Sequence, residues 1–167
     1  MIKSKIAQCC LALSDLKWKI SFAESASAGR LSYEFSLDAN SGKVLLGGLV
    51  SYDASLKEEL LRIPKSLVER YTPESAEVTK AMALSFRKIS HADVCVALTG
   101  LTSPGGSETP EKPVGTIFTC IAFPNDILED RVVFDGSPEE IASKAVDRVA
   151  DLLLQVLLDK SEQSNVK

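Results

Sequence analysis

The chain has 167 residues, of which 45% are hydrophobic and 25% charged, the composition of an ordinary globular domain with a sizeable core. Its net charge of -4 argues against nucleic acid as a partner, because phosphate binding needs a basic face. No apolar run approaches the ~20 residues that cross a membrane, and the first residues show no signal-peptide pattern, so the sequence predicts a cytoplasmic protein without membrane contact.

Taken in chain order, the hydrophobic pattern predicts helices that alternate with strands. Helices are predicted from apolar residues three or four apart, or from a capping residue followed by proline, at 3–16, 31–37, 55–63, 64–71, from Thr72 onwards and from Ser137 onwards. Strands are predicted from apolar runs at 18–23, 44–52, 92–99, 114–123 and 128–134. The second of these should be buried, and the more polar last one should lie at an edge of the sheet.

This order predicts a three-layer α/β/α sandwich whose mixed sheet is mostly parallel with one antiparallel strand, because only the last two strands follow each other directly. Residues 1–159 are predicted to form one domain, residues 39–42 a loop, and the polar residues 160–167 a disordered tail. Gly47 and Gly48 predict a bulge or a close backbone approach in the second strand. Thr72 can cap the helix that begins there, with Pro73 in its first turn.

The reactive side chains exclude several kinds of site. None of the four cysteines forms a CxxC pair and His91 is the only histidine, so a zinc site of the usual spacing is absent and neither metal nor cofactor is predicted. His91 lies at a junction between helix and strand, which favours a surface turn and disfavours a Ser-His-Asp triad.

The first segment that can carry chemistry places Ser25 and Ser27 where a strand turns into a helix. The first amides of a helix have no internal partners and the helix dipole is positive there. A serine at this point can cap the helix, or it can be a nucleophile whose oxyanion meets amides that already point at it. From this segment alone the cap is favoured.

Lys57 is the candidate base in the second segment, one helical turn beyond the glycine-bearing strand. A lysine whose pKa is lowered by a dry setting can remove the proton of a serine. If the first two strands are neighbours, Ser25 and Lys57 lie at the edge where open α/β sheets bind ligands. The alternative is an ordinary solvated lysine on a helix.

The third segment is a loop rich in glycine and proline, residues 100–113, that leaves the end of a strand. Loops of this length are functional or disordered. Glycine amides together with Lys112 can cradle an anion, and Thr99 would bring a hydroxyl to the same edge. A solvated turn is the alternative.

Together the three segments resemble the C-terminal domain of the competence/damage-inducible protein CinA, a domain also found alone as nicotinamide-nucleotide amidase. Members carry Ala-Glu-Ser-Cys-Thr-Gly-Gly, then Tyr-Ser-Asn-Glu-Ala-Lys, then Thr-Gly-Ile-Ala-Gly-Pro-Gly-Gly and Pro-Glu-Lys-Pro-Val-Gly-Thr. The corresponding segments here are 23–29, 52–57, 99–106 and 110–116. Order and spacing agree, and the resemblance extends from the first helix to about residue 157.

The resemblance implies the fold predicted above and the deamidation of nicotinamide mononucleotide to nicotinate mononucleotide and ammonia, without a metal. Carried over by position, Ser25 is the nucleophile and Lys57 its general base. Tyr52 and Thr99 assist in the hydrogen-bond relay, and amides of residues 26–29 hold the oxyanion. The predicted substrate-binding residues are Ser27, Ala28, Gly29, Arg30, Gly105, Gly106 and Lys112.

The chain also departs from the family pattern. Ala26-Ser27-Ala28 replaces Cys-Thr-Gly, which removes one flexible glycine beside the nucleophile. Members often have Gly-Asp-Arg before the last helix and a further arginine one turn later, whereas residues 136–142 contain no arginine. We therefore expect weak affinity for nicotinamide mononucleotide unless Arg30 or Lys112 holds the phosphate.

Two hypotheses follow from the sequence. The first is an amidohydrolase acting on a small nucleotide, which the retained serine, lysine and threonine favour. The second is a catalytically weak or silent member that binds a nucleotide or a protein partner, which the missing arginines favour. A homo-oligomer is compatible with the sequence, which does not determine the oligomeric state.

Overall fold

The computed structural model describes residues 4–165 as a five-stranded sheet with helices on both faces. The strands are β1 Ile20–Glu24, β2 Leu45–Val50, β3 Val94–Gly100, β4 Thr116–Ala122 and β5 Ile127–Val133. The helices are α1 Lys5–Asp15, α2 Arg30–Ser36, α3 Ser41–Val44, α4 Ala54–Leu61, α5 Lys65–Tyr71, α6 Ala76–Ser90 and α7 Pro138–Asn165. Within the described range, no helix is both long and apolar enough to cross a membrane.

The strand order is β2-β1-β3-β4-β5, and β4 alone runs opposite to the other four strands. The predicted sandwich with one antiparallel strand is thus confirmed. Helices connect the parallel strands because a crossover must return the chain to the starting edge, whereas β4 and β5 need only a turn. β5 lies at an edge, as predicted.

The two faces of the sheet have separate cores. Phe22 of β1 points to the face covered by α1, α2 and α7, where its ring lies 4.8 Å from that of Phe35. Its neighbour Ala23 points to the other face, where α4, α5 and α6 supply residues such as Met82. Every residue of β1 and β4 is buried because helices cover both faces of the sheet.

The strand β2 differs from the prediction because it is an edge strand and only half buried, with alternating exposure. Its glycines behave as predicted. The pairing register with β1 shifts between Ile20 and Ser21, which is a bulge, and a Cβ on Gly48 would lie 1.9 Å from the Ser32 hydroxyl. The close approach of α2 to β2 therefore depends on this glycine.

Two local predictions were wrong. Part of the predicted loop 39–42 belongs to the short helix α3. Ser75, not Thr72, caps α6, because the helix begins at Ala76 and the Ser75 hydroxyl accepts the N–H of Val78. The helix α7 is described as far as Asn165, and residues 166 and 167 lie outside the described residues. That residues 1–159 form one domain and residues 160–167 a disordered tail stays a prediction.

Candidate active site

The first two parallel strands end side by side, and the hydrogen-bond ladder of the sheet continues one residue beyond them. Ser25 follows β1 and donates its N–H to the carbonyl of Leu98 on β3 at 3.0 Å. Ser51 follows β2 and donates its N–H to the carbonyl of Glu24 at 2.8 Å. The backbone of Ser25 is therefore hydrogen-bonded into the sheet like the strand residues before it.

Lys57 reaches this edge from the first turn of α4, a helix whose N-terminus is capped by the Asp53 carboxylate. Its side chain is completely buried. The Lys57 Nζ atom lies 3.1 Å from Ser25 Oγ, 2.7 Å from the carbonyl oxygen of Ser51 and 3.3 Å from that of Tyr52. The structure thus brings Ser25 and Lys57 into direct contact.

The surroundings of Lys57 favour an amine that can accept a proton from Ser25. Burial lowers the pKa of Lys57, while the carboxylates of Glu74 and Asp53 oppose that shift. A neutral amine has two N–H donors and one lone pair, and the two neighbouring carbonyls are acceptors only. When both donors serve the carbonyls, the lone pair faces the Ser25 hydroxyl.

Glu24, the residue before Ser25, organises the turn between β1 and α2. Its carboxylate is fully buried and accepts five hydrogen bonds from the start of the helix. The donors are the Ser27 hydroxyl, the N–H groups of Gly29, Leu31 and Ser32, and the Ser32 hydroxyl. The helix cap that sequence reasoning ascribed to a serine is thus supplied by Glu24.

Only part of the predicted oxyanion site remains open. The N–H of Gly29 is bonded to Glu24, and that of Ala28 to the carbonyl of Ser25 at 3.1 Å. The N–H groups of Ala26 and Ser27 have no acceptor within residues 4–165. Of the predicted amides, these two can receive a developing oxyanion.

Ala28 adopts a left-handed conformation, with φ +48°, at the position where family members have glycine. We expect Ala28→Gly to stabilise the protein by about 0.5–1 kcal/mol, because the steric cost of a left-handed alanine exceeds the entropy that glycine loses on folding. Urea unfolding measures the change. Ala39→Gly, at an exposed position with negative φ, is the control and should not stabilise; equal effects of the two substitutions would contradict the argument.

A cavity of about 230 Å³ opens in front of Ser25. Its walls are Ser25, Ala26, Tyr52, Glu74, Gly100, Leu101, Thr102, Ser103, Pro104, Gly105 and Gly106. This volume is below the ~300–1,000 Å³ of typical ligand pockets, so the cavity encloses the reacting end of a ligand more readily than a whole nucleotide.

The other two predicted relay residues have different surroundings. Thr99 is buried, and its hydroxyl lies 2.7 Å from that of Thr79, which in turn donates to the carbonyl of Ser75. The structure therefore gives Thr99 a partner on α6 and no hydrogen bond to Ser25 or Lys57. Tyr52 holds Lys57 through its backbone carbonyl, while its phenol is exposed at the cavity wall.

The glycine-rich loop is fastened to the segment before α6. Lys112 Nζ donates to the Thr72 hydroxyl at 2.6 Å, to the Ser107 hydroxyl at 2.7 Å and to the Glu74 carbonyl at 2.9 Å. Burial lowers the pKa of Lys112, and the Glu74 carboxylate opposes that shift. Gly105 and Gly106 form part of the cavity wall, whereas Lys112 is outside it.

Arg30 is also outside the cavity wall, and its Nε atom lies 3.9 Å from the Glu34 carboxylate one turn along α2. Neither predicted phosphate anchor therefore lines the cavity. Within residues 4–165 no cluster of three or more histidine, cysteine, aspartate and glutamate side chains could hold a metal ion. Burial raises the pKa of Cys95 and Cys120 to about 12, which leaves these thiols protonated.

Sequence reasoning missed two carboxylates of this site. Glu24 stood in the first segment, and a carboxylate beside a helix N-terminus is a signal that could have identified it. Glu74 carried no local signal, since only the tertiary structure brings the start of α6 to the cavity.

Comparison with known proteins gives a consistent assignment. The CinA C-terminal domain family matches residues 3–157. A CinA-like protein of Prochlorococcus marinus is 36% identical over 144 residues, which are 85% of this chain and 34% of that protein. A CinA-like protein of Desulfotalea psychrophila is 34% identical over 139 residues, 83% of this chain and 33% of that protein. The chain thus spans about a third of the length of these curated relatives.

Solved structures agree with the fold. A CinA superfamily protein from Enterobacter cloacae superposes with a TM-score of 0.86 at 27% identity, covering 94% of this chain and 95% of that one. A CinA superfamily protein from Klebsiella pneumoniae gives a TM-score of 0.88 at 22% identity, with 93% and 96% covered. The second likeness concerns the fold alone.

Proposed function

This chain belongs to the family of CinA C-terminal domains, and on that premise we propose that it is an amidohydrolase resembling nicotinamide-nucleotide amidase. The reaction is hydrolysis of the carboxamide of a pyridine nucleotide, in the resemblance nicotinamide mononucleotide, to the carboxylate and ammonia, which recycles pyridine nucleotides. The observation that carries the proposal is the 3.1 Å contact between Ser25 Oγ and the buried Lys57 Nζ.

In the first half of the reaction, the neutral Lys57 amine takes the proton of the Ser25 hydroxyl while Oγ attacks the carboxamide carbon. The carbonyl electrons move to oxygen, and the N–H groups of Ala26 and Ser27 stabilise that charge. When the C–O double bond re-forms, the C–N bond breaks. Lys57 donates its proton to the departing nitrogen, so ammonia leaves and an ester to Ser25 remains.

In the second half, a water molecule attacks the ester carbon and Lys57 accepts a proton from it. The bond between the carbon and Ser25 Oγ breaks, and Lys57 returns the proton to Oγ. A carboxylic acid is released, which ionises at neutral pH. One amine therefore serves as base and acid in turn. The two carbonyls and the Ser25 hydroxyl that contact Lys57 Nζ can hydrogen-bond to it in both protonation states.

Ammonia release from nicotinamide mononucleotide, measured against pH, tests the proposal. The rate should rise with pH through an ionisation below the ordinary lysine value of 10.5, because only the neutral amine accepts the serine proton and burial lowers the pKa of Lys57. A rate independent of pH between about 6 and 10 would contradict the role of Lys57.

The free energy of unfolding should also depend on pH. The folded state binds fewer protons at Lys57 than the unfolded chain does, so the buried amine destabilises the fold most below its lowered pKa, and this destabilisation disappears as pH approaches 10.5. Lys57→Met should remove this dependence on pH, as measured by urea unfolding.

The second candidate function is ligand binding without catalysis. The positions of Arg30 and Lys112 outside the cavity wall favour it. Thermal shift with nicotinamide mononucleotide, measured beside ammonia release, separates the two. A shift of the melting temperature without ammonia selects the binder.

A further inference from the structure

We propose that the outer edge of β2 is an interface between two copies of this chain, which join their sheets through an antiparallel β2–β2 pair around a two-fold axis at Gly48. The proposal concerns the assembly of the protein and does not depend on the reaction assigned to Ser25 and Lys57. It rests on the backbone groups, the side chains and the charges that this edge presents.

The outer backbone groups of β2 have no strand to pair with in the described part of the chain. β2 pairs with β1 on one side and is the last strand of the sheet on the other. Ser51 directs its N–H to β1, and backbone groups alternate between the two sides of a strand, so Gly48 and Val50 direct theirs outward. The bulge lies before this stretch, because the register with β1 is regular from Gly47 to Val50. This edge can therefore accept another strand.

The side chains of the two edge strands differ. β5, at the opposite edge, carries Glu129, Asp130 and Arg131, and charged residues protect an edge strand from association. β2 contains no charged residue, and its side chains Leu46 and Val50 are 48% and 41% exposed. The edge at β2 thus lacks the protection that β5 has, which is expected of an edge that a partner covers.

The partner that fits this edge is a second copy of it. A two-fold axis pairs two copies of one strand antiparallel. With Gly48 at the axis, Leu46 of one protomer lies opposite Val50 of its partner, and the same pair forms again on the other side of the axis. The outward N–H and C=O groups of the two Gly48 residues bond to each other, and each exposed apolar side chain meets another.

The charges at the ends of β2 favour the same orientation. Lys43 precedes the strand and Asp53 follows it, and both are exposed. In the antiparallel pair centred on Gly48, the Lys43 end of one protomer lies beside the Asp53 end of its partner, so opposite charges meet at both ends. A parallel pair would bring like charges together. Exposed ion pairs contribute little affinity, so these charges orient the two copies while the strands and apolar side chains hold them.

The helix α2 leaves room for this pairing and adds to it. It packs on both β1 and β2, and strands are about 4.8 Å apart, so a helix above the boundary of the two strands lies about 10 Å from the partner's α2. Packed helices have this spacing. On α2, Leu31 faces the core and Ser32 approaches Gly48, so the next residue, Tyr33, points outward on the partner's side and is 60% exposed.

Sedimentation velocity over a range of protein concentrations tests the interface. We expect a dimer at micromolar concentration, and Leu46→Lys should raise its Kd about a hundredfold or more, because the new charge would face an apolar side chain of the partner. Val133→Lys, at an equally exposed position on β5, is the matched control and should leave the dimer unchanged. Circular dichroism checks that both variants fold. A protein that stays monomeric at high concentration, or equal effects of the two substitutions, would overturn the proposal.

Disulfide formation tests the register without a destabilising substitution. Leu46→Cys and Val50→Cys proteins, mixed and oxidised, should cross-link to each other faster than either does to itself. Opposite residues of an antiparallel pair have Cα atoms about 5.5 Å apart, within disulfide range, whereas two copies of Val50 would be about 13 Å apart. The four native cysteines are buried and do not compete. Cross-links only between identical variants, or none in a dimeric protein, would overturn the β2 pairing.

Discussion

Ser25→Ala and Lys57→Met should each lower the rate of ammonia release by at least about a thousandfold, and the double variant should be little slower than either one. The nucleophile and the amine that deprotonates it form one unit, since their atoms lie 3.1 Å apart and the lone pair of Lys57 has no other acidic partner among the groups that surround it. Removing either half leaves only the contribution of binding and of the oxyanion amides.

Methionine is the appropriate replacement for Lys57 because the side chain is completely buried and methionine fills a similar volume without a charge. Circular dichroism checks that the variant folds. Lys43→Met, at an exposed position, is the matched control and should retain full activity. Losses that multiply in the double variant would mean that the two residues act independently and that the dyad is wrong.

Glu24→Gln should lower the free energy of unfolding by about 3 kcal/mol or more, a large part of the roughly 5–15 kcal/mol that stabilises a typical domain. The glutamine amide keeps one acceptor oxygen, but its NH2 group faces donors where the carboxylate accepted them. Five hydrogen bonds converge on this buried carboxylate, and at least one backbone N–H of α2 would lose its acceptor.

Urea unfolding at neutral pH measures this effect. Glu59→Gln, an exposed glutamate on α4, is the control and should change stability by less than about 0.5 kcal/mol. An unchanged midpoint for Glu24→Gln would show that water replaces the lost partners, which would contradict the description of Glu24 as the cap of α2.

The sequence by itself determined the layers of this fold and predicted the edge of the sheet at which Ser25 and Lys57 meet. Apolar periodicity separates helices from strands, and the alternation of the two dictates parallel strands that end at one edge, so Ser25 and Lys57 were expected to meet there. The two glycines of β2 were correctly linked to a bulge and a close approach, since few other features need glycine inside a strand.

Only the tertiary structure decided which partners the polar side chains around the candidate site have. Local patterns do not reveal that Glu24, rather than a serine, caps α2, or that Thr99 pairs with Thr79. Nor do they reveal that Lys112 donates to Thr72 and Glu74, which precede α6. Most of these contacts join residues far apart in the chain, and hydrophobic periodicity does not predict which polar atoms come within hydrogen-bond distance. The sequence also does not predict that Glu74 lines the cavity. Glu74 lies there because α6 packs against β3, and no spacing of residues in the sequence indicates that contact.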